Sequence, residues 1–451
     1  MAEKVNVLLV GGGGREHAIA MKLRESRRLG DLWITHPENA GLAKLAKAVD
    51  VPVGIREIYR LEQFCDKNKV GLVVIGPEDP LCEGYSDKLK APGRLVFGPS
   101  MEAAKLEGDK AWSKQLMRSA SIPTGDARIF TDIRAAKDYL SSRESPPALD
   151  SRSKGLVAKS RESHAEAPPV IKAAGLAKGK GVIVPNTFKE AHEALERMLV
   201  KKEFGDAGRR VVIEERLEGT EVSVLAIVDG GNILVLPACR DHKRLQDGDK
   251  GPNTGGMGAY CPAENIDEET LRHVEREILV PTIDALRRDG IEYKGVLYAG
   301  LMLTPAGPKV LEFNCRFGDP ECQPLMARLK SDLIDLLCGA CEGTLDRVDV
   351  EWDTRAASCV VMAARGYPDA PKKGTPILGI DEAEKMKDVF VTISGAKKDR
   401  EGATVTNGGR VLGVTGLGAT VQDASSKAYE AIKKISFEGA QYRTDIGVAG
   451  K

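Results

Sequence analysis

A glycine-rich loop with three lysines is well suited to hold a polyphosphate. It reads KAAGLAKGKGV over residues 172–182. Glycines let the backbone approach a ligand closely, and lysines supply positive charge for phosphate oxygens. It is not a Walker A loop, because no Ser or Thr follows the lysine and a strand, rather than a helix, is predicted after it. A charged hairpin tip without a ligand is the alternative interpretation.

The segment LEFNCRFGDPE, residues 311–321, alternates apolar and polar side chains. This period of two is typical of a strand and places Glu312, Asn314 and Arg316 on one face. A carboxylate and an amide oxygen are hard ligands that suit Mg²⁺, and phosphate oxygens can fill its other positions. A neighbouring guanidinium suits a phosphoryl group in transfer. The alternative is a half-exposed strand with an ion pair.

The segment VVIEERLEG, residues 211–219, ends an apolar strand with carboxylates. Its end could present Glu214 and backbone groups to the edge of a base, and Glu221 could then reach ribose hydroxyls. Taken alone, the segment is also what an ordinary strand end looks like.

Four glycines, residues 11–14, follow the first predicted strand and could bring phosphate to a helix N-terminus. Their spacing does not match G-x-G-x-x-G, and the second strand ends in Thr35 and His36 without the acid that binds ribose. The pattern therefore favours a phosphate or sugar-phosphate site over a nicotinamide site. A purely structural turn is the other interpretation.

A long glycine-containing loop, GPNTGGMG at residues 251–258, follows the charged segment DHKR at 241–244. The loop is too long for a simple turn. It could close over a reaction centre as a lid, or it could be structural.

These segments lie on three predicted units. Residues 1–108 alternate β-branched apolar runs with amphipathic helices, which predicts a parallel α/β sheet. The loops GGGG, HPENAG and GPEDP follow its strands and should form the rim of a site. Residues 109–345 predict an α+β region of longer strands and hairpins, interrupted by a polar insertion at 141–169 that we expect to be a solvated loop or disordered. Residues 346–451 predict a small α/β unit.

Composition excludes several classes of protein. The 451 residues carry 66 Lys+Arg and 66 Asp+Glu, so no global field attracts nucleic acid or a membrane. The first apolar run is too short for a signal peptide or a membrane span, and nine cysteines without framework spacing suit a reducing compartment, so a cytoplasmic location is expected. The pair Cys338 and Cys341 favours helix packing over metal or redox use.

The lysine-bearing loop, the carboxylate-rich strand end and the Glu-x-Asn-x-Arg strand, in this order, resemble the ATP-grasp superfamily. VGGGGREHA, GPNTGGMGAY and EFNCRFGDPE narrow the resemblance to the phosphoribosylamine–glycine ligase family, over nearly the whole chain. The resemblance implies an N-terminal α/β substrate domain at 1–108 and a two-lobed ATP-grasp region at 109–345, with its small lobe at about 124–212. A C-terminal α/β domain follows at 346–451.

The implied reaction joins glycine to 5-phosphoribosylamine with ATP, through glycyl phosphate, in the second step of de novo purine synthesis. Another ATP-grasp carboxylate–amine ligase or carboxylase, with a different acceptor, is the alternative, and a non-catalytic nucleotide-binding protein is a weaker one. The partners are small molecules, without nucleic acid or membrane, and the chain could be one domain of a fused purine enzyme.

The resemblance also implies roles for individual residues. The implied catalytic residues are Arg316, Lys172 and Asp241. The implied ligands of Mg²⁺, with Mn²⁺ as the alternative cation, are Glu312 and Asn314. The implied ATP contacts are Lys110, Lys172, Gly175, Lys178, Gly179, Lys180, Gly181, Glu214, Glu215, Leu217 and Glu221. The implied substrate contacts are Gly13, Gly14, Asn39, Gly41, Glu78, Lys243, Asn253, Thr254, Gly255 and Gly256.

Two features depart from the expected pattern. The insertion at 141–169 has no counterpart in compact family members. Gly300 and Leu301 stand where many ATP-grasp enzymes carry a second metal carboxylate, so any second cation must use Glu312 and phosphates.

Overall fold

The fold is taken from a computed structural model, which describes residues 4–144, 167–177, 180–264 and 266–448. Most of the predicted insertion, residues 145–166, lies outside the described residues, as do Lys178 and Gly179 of the glycine-rich loop. The first residues of that insertion are helical, and a strand begins at Val170.

The N-terminal unit is a parallel sheet of five strands in the order β3-β2-β1-β4-β5, as predicted. Its central strands are continuous apolar runs because helices cover both faces of the sheet. The strands are β1 (Val5–Val10), β2 (Leu29–Ile34), β3 (Lys47–Ala48), β4 (Val70–Ile75) and β5 (Leu95–Phe97). The helices are α1 (Gly14–Arg24), α2 (Leu42–Leu45), α3 (Ile58–Lys67), α4 (Glu78–Cys82), α5 (Tyr85–Leu89), α6 (Met101–Gly108) and α7 (Lys110–Ser119).

A small lobe follows, built on an antiparallel sheet in the order β6-β9-β7-β8. Its elements are β6 (Ala127–Phe130), α8 (Ile133–Glu144), β7 (Val170–Ala173), β8 (Val182–Ile183), α9 (Phe188–Leu195) and β9 (Val211–Glu214). Leu140, Ile171, Leu195 and Met198 belong to an apolar cluster of this lobe, separate from the larger cores. The lobe therefore packs around its own core.

The large lobe carries a second antiparallel sheet, in the order β11-β10-β16-β17. One apolar cluster joins it to the N-terminal unit, since Leu8 and Val73 share that cluster with Val224 and Leu297. The strands are β10 (Thr220–Asp229), β11 (Ile233–Val235), β12 (Arg240–Asp241), β13 (Arg244–Gln246), β14 (Lys250–Asn253), β15 (Gly258–Cys261), β16 (Lys294–Thr304) and β17 (Gly307–Asn314). The helices are α10 (Glu268–Val274), α11 (Val280–Arg288), α12 (Cys322–Arg328) and α13 (Leu333–Glu342).

The C-terminal unit shares its sheet with the middle of the chain, in the order β12-β15-β18-β22-β19. Strand β15 pairs with β18 in antiparallel register from Gly258 opposite Val360 to Cys261 opposite Ala357. Its own elements are β18 (Ala356–Ala363), α14 (Ile380–Glu384), β19 (Val389–Ile393), β20 (Ala396–Lys398), β21 (Thr404–Thr406), β22 (Arg410–Gly418) and α15 (Val421–Ile432). The loop at 251–258 is therefore tied to this unit at its end.

The predicted fold class, α/β and α+β units in one chain, is confirmed. All nine cysteines are free. Cys338 is buried within α13 and packs in an apolar core, which supports the helix-packing interpretation of the pair with Cys341. Among the described residues, no helix is long and apolar enough to cross a membrane.

Candidate active site

A cavity of about 1050 Å³ lies where the N-terminal unit, the small and large lobes and the C-terminal unit meet. The N-terminal unit contributes the glycine loop after β1 and the start of α4, and the small lobe contributes the glycine-rich loop after β7. The large lobe contributes β12 to β14 and the face of β17, and the C-terminal unit contributes Arg410. The sequence motifs predicted to carry chemistry thus open into a single space.

The polar face of β17 lines this cavity as predicted. Glu312, Asn314 and Arg316 all reach it. Glu312 stands opposite Gly300 on β16, whose missing side chain leaves room beside the carboxylate. Burial alone would raise the pKa of Glu312, but the ammonium groups of Lys243, Lys110 and Lys172 outweigh it and lower that pKa to about 2. Glu312 is therefore a stable anion at neutral pH.

The donor set fits a hard divalent cation. Within the described part of the chain, the only ion pair of Glu312 is a 3.8 Å contact with Lys243, so its oxygens keep lone pairs for a metal. Asn314 uses one lone pair of Oδ1 to accept from Arg316, at 3.2 Å. Residues 4–144, 167–177, 180–264 and 266–448 contain no group of three or more His, Cys, Asp or Glu arranged to hold a metal. A cation at Glu312 and Asn314 would complete its coordination with ligand or water oxygens.

Two carboxylates fix the guanidinium of Arg316. Its Nη2 donates to Glu107 Oε1 at 2.7 Å and its Nε donates to Glu78 Oε2 at 3.2 Å. Burial would raise the pKa of Glu78, but Arg316 and Arg15 lower it to about 2. Glu78, predicted to bind substrate, thus lines the cavity and also orients Arg316.

The sequence suggested that Glu214 could present a free carboxylate to a base. In the structure Glu214 lies in the cavity wall, and both of its carboxylate oxygens face lysines. Its Oε1 accepts from Lys114 Nζ at 2.6 Å, and its Oε2 lies 2.8 Å from Lys172 Nζ. Lys172 also donates to the Leu311 carbonyl at 3.0 Å. Since Glu214 is 1 % exposed, its charge is neutralised by these two lysines, and it fixes the position of Lys172.

Asp241 carries an oxygen with no partner. Its Oδ1 is buried and makes no hydrogen bond among the described residues. Burial, reinforced by the negative charge of Glu321, raises the pKa of Asp241 well above its ordinary value. Glu321 itself accepts from Tyr298 Oη at 2.8 Å and from Ser223 Oγ at 3.0 Å. A buried acceptor without a donor is costly, so Asp241 is poised for a ligand that donates a hydrogen bond.

The remaining predicted ATP contacts fall into two groups. Lys110, Gly181, Glu215, Leu217 and Glu221 line the cavity, with Lys172 and Glu214. Gly175 does not line the cavity. A Cβ at this position would lie 2.7 Å from Ala207 Cα, so the glycine is needed for packing within the lobe. Lys180 is exposed and outside the lining, and Lys178 and Gly179 lie outside the described residues.

The glycines after β1 make room for side chains rather than matching a dinucleotide loop. Gly13 lines the cavity, and its N–H donates to Glu16 Oε2 at 2.6 Å. A Cβ on Gly76 would lie 2.1 Å from the other oxygen of Glu16. The amide of Gly13, at the N-cap of α1, is therefore already paired with a carboxylate. The prediction of a sugar-phosphate site at this turn stays a prediction.

Three predicted substrate contacts in this unit do not line the cavity. Gly14 packs against Ser394, and Gly41 packs against the ring of His17. Asn39 is 4 % exposed and links two units, because its amide donates to the carbonyls of Gly12 and Ile393, both at 2.8 Å. Gly14 and Asn39 therefore lie at the contact between the N-terminal and C-terminal units, and Gly41 makes room for His17 within the N-terminal unit.

The loop after β14 supplies the other predicted substrate contacts. Asn253, Thr254 and Gly255 line the cavity, as does Lys243. Gly256 does not line the cavity. Its φ is +109°, and a Cβ there would lie 2.5 Å from Pro320 Cδ, so backbone geometry and close packing explain the glycine.

Sequence reasoning missed several residues that the fold brings to the cavity, namely Arg15, Glu107, Arg410, Tyr298 and Glu321. Glu321 ends the segment 311–321, and Glu107 lies three residues before Lys110, so both stand near predicted site residues in the sequence. Arg410 has no local signal, since it starts β22 and reaches the site only through the C-terminal sheet.

Comparisons with known proteins agree with this geometry. Residues 5–107, 108–322 and 357–449 match the N domain, the ATP-grasp (A) domain and the C domain of phosphoribosylglycinamide synthetase. A phosphoribosylamine–glycine ligase of Rhodopirellula baltica is 49% identical, covering 98% of this chain and 97% of that protein.

Two solved structures resemble the fold. The phosphoribosylamine–glycine ligase of Thermotoga maritima has a TM-score of 0.80 and 33% identity, over 98% of this chain and 100% of that chain. The biotin carboxylase domain of Hydrogenobacter thermophilus 2-oxoglutarate carboxylase, solved with Mg-ADP, has a TM-score of 0.71 and 15% identity, over 98% and 92%. Together with the Rhodopirellula baltica enzyme, the Thermotoga maritima structure confirms the family resemblance and the prediction of an ATP-dependent ligase. The biotin carboxylase domain shares the fold.

This chain belongs to the phosphoribosylglycinamide synthetase family.

Proposed function

We propose how this chain performs the reaction of its family, in which ATP, glycine and 5-phosphoribosylamine give glycinamide ribonucleotide, ADP and phosphate in de novo purine synthesis. The glycine carboxylate attacks the γ-phosphorus, ADP leaves, and glycyl phosphate forms. The sugar amine then attacks the glycyl carbonyl, phosphate leaves, and the nitrogen loses a proton.

One observation carries this assignment. The ammonium groups of Lys243, Lys110 and Lys172 and the guanidinium of Arg316 all act on the carboxylate of Glu312 in one cavity. Glu214, Glu221, Glu78 and Glu107 hold three of these cations in place. This arrangement gathers several positive charges at one binding site. It matches a ligand that brings several negative charges, as the phosphates of ATP do.

Lys172 and Lys110 hold the ATP phosphates, and Glu214 keeps the Lys172 ammonium aimed into the cavity. Leu217 and Glu221 line the end of the cavity nearest the link between β9 and β10, where the adenosine would lie. The glycine-rich loop, of which Gly181 lines the cavity, would cover the phosphates.

Arg316 stabilises the phosphoryl group during transfer. Because Glu107 and Glu78 fix its guanidinium beforehand, no side-chain reorganisation is needed as charge develops. Glu312 and Asn314 would hold Mg²⁺, which supplies counter-charge to the phosphate oxygens. Mn²⁺ has the same preference for oxygen ligands and is the alternative cation.

Asp241 binds the amine that captures glycyl phosphate. Asp241 lines the cavity, and its unpartnered Oδ1 would accept a hydrogen bond from that nitrogen. Lys243, Asn253, Thr254 and Gly255 line the same side and would contact the sugar phosphate and glycine.

A coupled ADP-release assay with each substrate omitted in turn tests this function. We expect ADP release only when glycine and 5-phosphoribosylamine are both present, because a site closed to water activates the acid only where an amine can capture it. An Arg316→Gln protein purified in the same way controls for contaminating ATPase. Equal ADP release without glycine would reject the proposal, and turnover with a different amine in place of 5-phosphoribosylamine would indicate another ATP-grasp ligase.

The domain boundaries, the cytoplasmic location and the idea of a fused purine enzyme stay predictions. The nine free cysteines are compatible with a reducing compartment.

A further inference from the structure

The hairpin formed by β13 and β14 carries part of the substrate side of the cavity. Among the described residues, its two strands pair only with each other and join no larger sheet. Arg244, Asp249 and Asn253 of this hairpin line the cavity, while Lys250 and Gly251 are exposed. An isolated two-stranded hairpin is at best marginally stable in water, so something else must fix its position.

The C-terminal unit supplies that support at the turn of the hairpin. Arg443 is 2 % exposed, and its Nη1 donates to Asp249 Oδ1 at 2.7 Å and to the Arg244 carbonyl at 3.3 Å. Its Nε and Nη2 donate to the two oxygens of Asp445 at 2.7 and 2.6 Å. Asp445 in turn accepts from the Gly248 N–H at 2.9 Å.

The arrangement holds a strained residue in place. Asp249 has a φ of +53°, a left-handed conformation that few non-glycine residues adopt. Next to it, the Thr444 N–H donates to Asp247 Oδ1 at 2.8 Å. Backbone and side chains of residues 443–445 therefore bind three consecutive residues of the turn.

A second anchor holds the other end of the segment. The Gly255 N–H donates to Tyr367 Oη at 3.0 Å, and the Gly255 carbonyl accepts from Arg410 Nη1 at 2.7 Å. Tyr367 and Arg410 also belong to the C-terminal unit. Both ends of residues 244–255 are thus tied to a part of the chain far away in sequence.

We infer that Arg443 is a positioning residue that fixes the β13–β14 hairpin over the cavity, with Tyr367 as its counterpart at Gly255, so that the C-terminal unit sets the affinity for 5-phosphoribosylamine. Arg443 does not line the cavity and acts through Asp249 and Arg244. The choice of substrate rests on the proposed function. The support of the hairpin rests on the contacts alone.

Arg443→Lys tests the inference, because a lysine keeps the charge but cannot reproduce the fork that reaches both aspartates. Loss of charge-assisted hydrogen bonds should raise the KM for 5-phosphoribosylamine about tenfold or more and leave the KM for ATP within about twofold. Hydrogen–deuterium exchange of residues 244–255, measured without substrates, should become about tenfold faster.

Arg355→Lys is a matched control. Arg355 also pairs with an aspartate two residues away, Asp353 at 2.7 Å, and with a second one, Asp388 at 2.9 Å, but in the described part of the chain it makes no hydrogen bond or ion pair with residues 244–255. It should leave both readouts unchanged. Tyr367→Phe removes one hydroxyl at the other anchor and provides a milder variant if Arg443→Lys does not fold.

The inference would be overturned if the exchange of residues 244–255 is unchanged in Arg443→Lys, or if Arg443→Lys and Arg355→Lys have equal effects. If Tyr367→Phe has to replace Arg443→Lys, unchanged exchange in that variant would overturn it as well. A wild-type protein without three-substrate turnover would instead reject the proposed function. The exchange measurement would still decide whether the hairpin is held by Arg443.

Discussion

The ammonium of Lys172 and one carboxylate oxygen of Glu214 lie 2.8 Å apart in the wall of the cavity, and both side chains are almost fully buried. The other oxygen of Glu214 pairs with Lys114. A residue predicted to face a base is thus the counter-charge of Lys172, the lysine that we propose to bind phosphate.

Glu214→Gln should therefore destabilise the fold and weaken ATP binding together. The substitution leaves two buried ammonium groups without a counter-charge, which typically costs about 3–5 kcal/mol. Denaturant unfolding and the KM for ATP are the measurements. Glu215→Gln is the control for stability, because that carboxylate lies near the surface, where it accepts from the Asp126 N–H at 3.1 Å and lies 4.0 Å from Lys309 Nζ. If Glu214→Gln keeps wild-type stability but changes the preference for ATP over GTP, Glu214 contacts the base after all.

Glu312→Gln should abolish most turnover. It removes the charge that would hold Mg²⁺ between the phosphates, and loss of one preorganised electrostatic contact typically costs about 10²–10³ in rate. ATP binding should also lose most of its magnesium dependence, which titration calorimetry at several Mg²⁺ concentrations measures.

The structure adds an effect on stability to the Glu312→Gln variant. Since the surrounding lysines lower the pKa of Glu312 to about 2, its charge stabilises the fold, and the free energy of unfolding should fall by roughly 1–3 kcal/mol. Glu221→Gln is the matched control, because Glu221 lies 3.6 Å from the same Lys243 without belonging to the metal pair. Normal turnover and unchanged magnesium dependence in Glu312→Gln would favour a structural strand face.

Asn39→Ala should lower stability and leave substrate affinities unchanged. Beyond its two donated bonds, the Asn39 side chain accepts from the Gly41 N–H at 2.9 Å, and each buried group left unsatisfied costs roughly 1–3 kcal/mol. Thermal unfolding and KM values well below the transition check this. Asn68→Ala is the milder control, since its amide caps the end of α3 at the Phe64 carbonyl. A large rise in a substrate KM without a loss of stability would restore Asn39 as a binding residue.

His17 should make the protein less stable in mild acid. Burial, with a contribution from the charge of Lys44, lowers the pKa of His17 to about 4, and its Nδ1 accepts from the Ile393 N–H at 2.8 Å. The unfolded chain binds a proton near pH 6.5 and the folded chain does not, so stability is lost as the pH falls from about 6.5 towards 4.

His17→Gln should reduce the pH slope of the unfolding free energy in that window by up to about 1.4 kcal/mol per pH unit. Urea unfolding at a series of pH values measures the slope. A part of the slope should persist in the variant, because burial also lowers the pKa of His242 to about 4. An identical slope in wild type and variant would show that the pKa of His17 is not lowered in the folded protein.

The elements and the local chemistry could be predicted from the order of the residues alone. Alternation along residues 311–316 placed Glu312, Asn314 and Arg316 on one face, and the structure brings all three to the cavity. Apolar runs predicted the parallel sheet and the antiparallel lobes. A strand buried on both faces is apolar throughout, whereas a strand buried on one face alternates apolar and polar residues.

Which charged side chains meet depends on how the units pack against one another. Glu214 pairs with Lys114 across 100 residues, Arg316 pairs with Glu107 across 209, and Arg443 reaches Asp249 across 194. Periodicity reports which face of an element is buried, but it carries no information on which distant side chain lies opposite. Those pairings depend on how the units pack, and the same packing turns Asn39 into a link between units and makes Arg443 a support for the substrate hairpin.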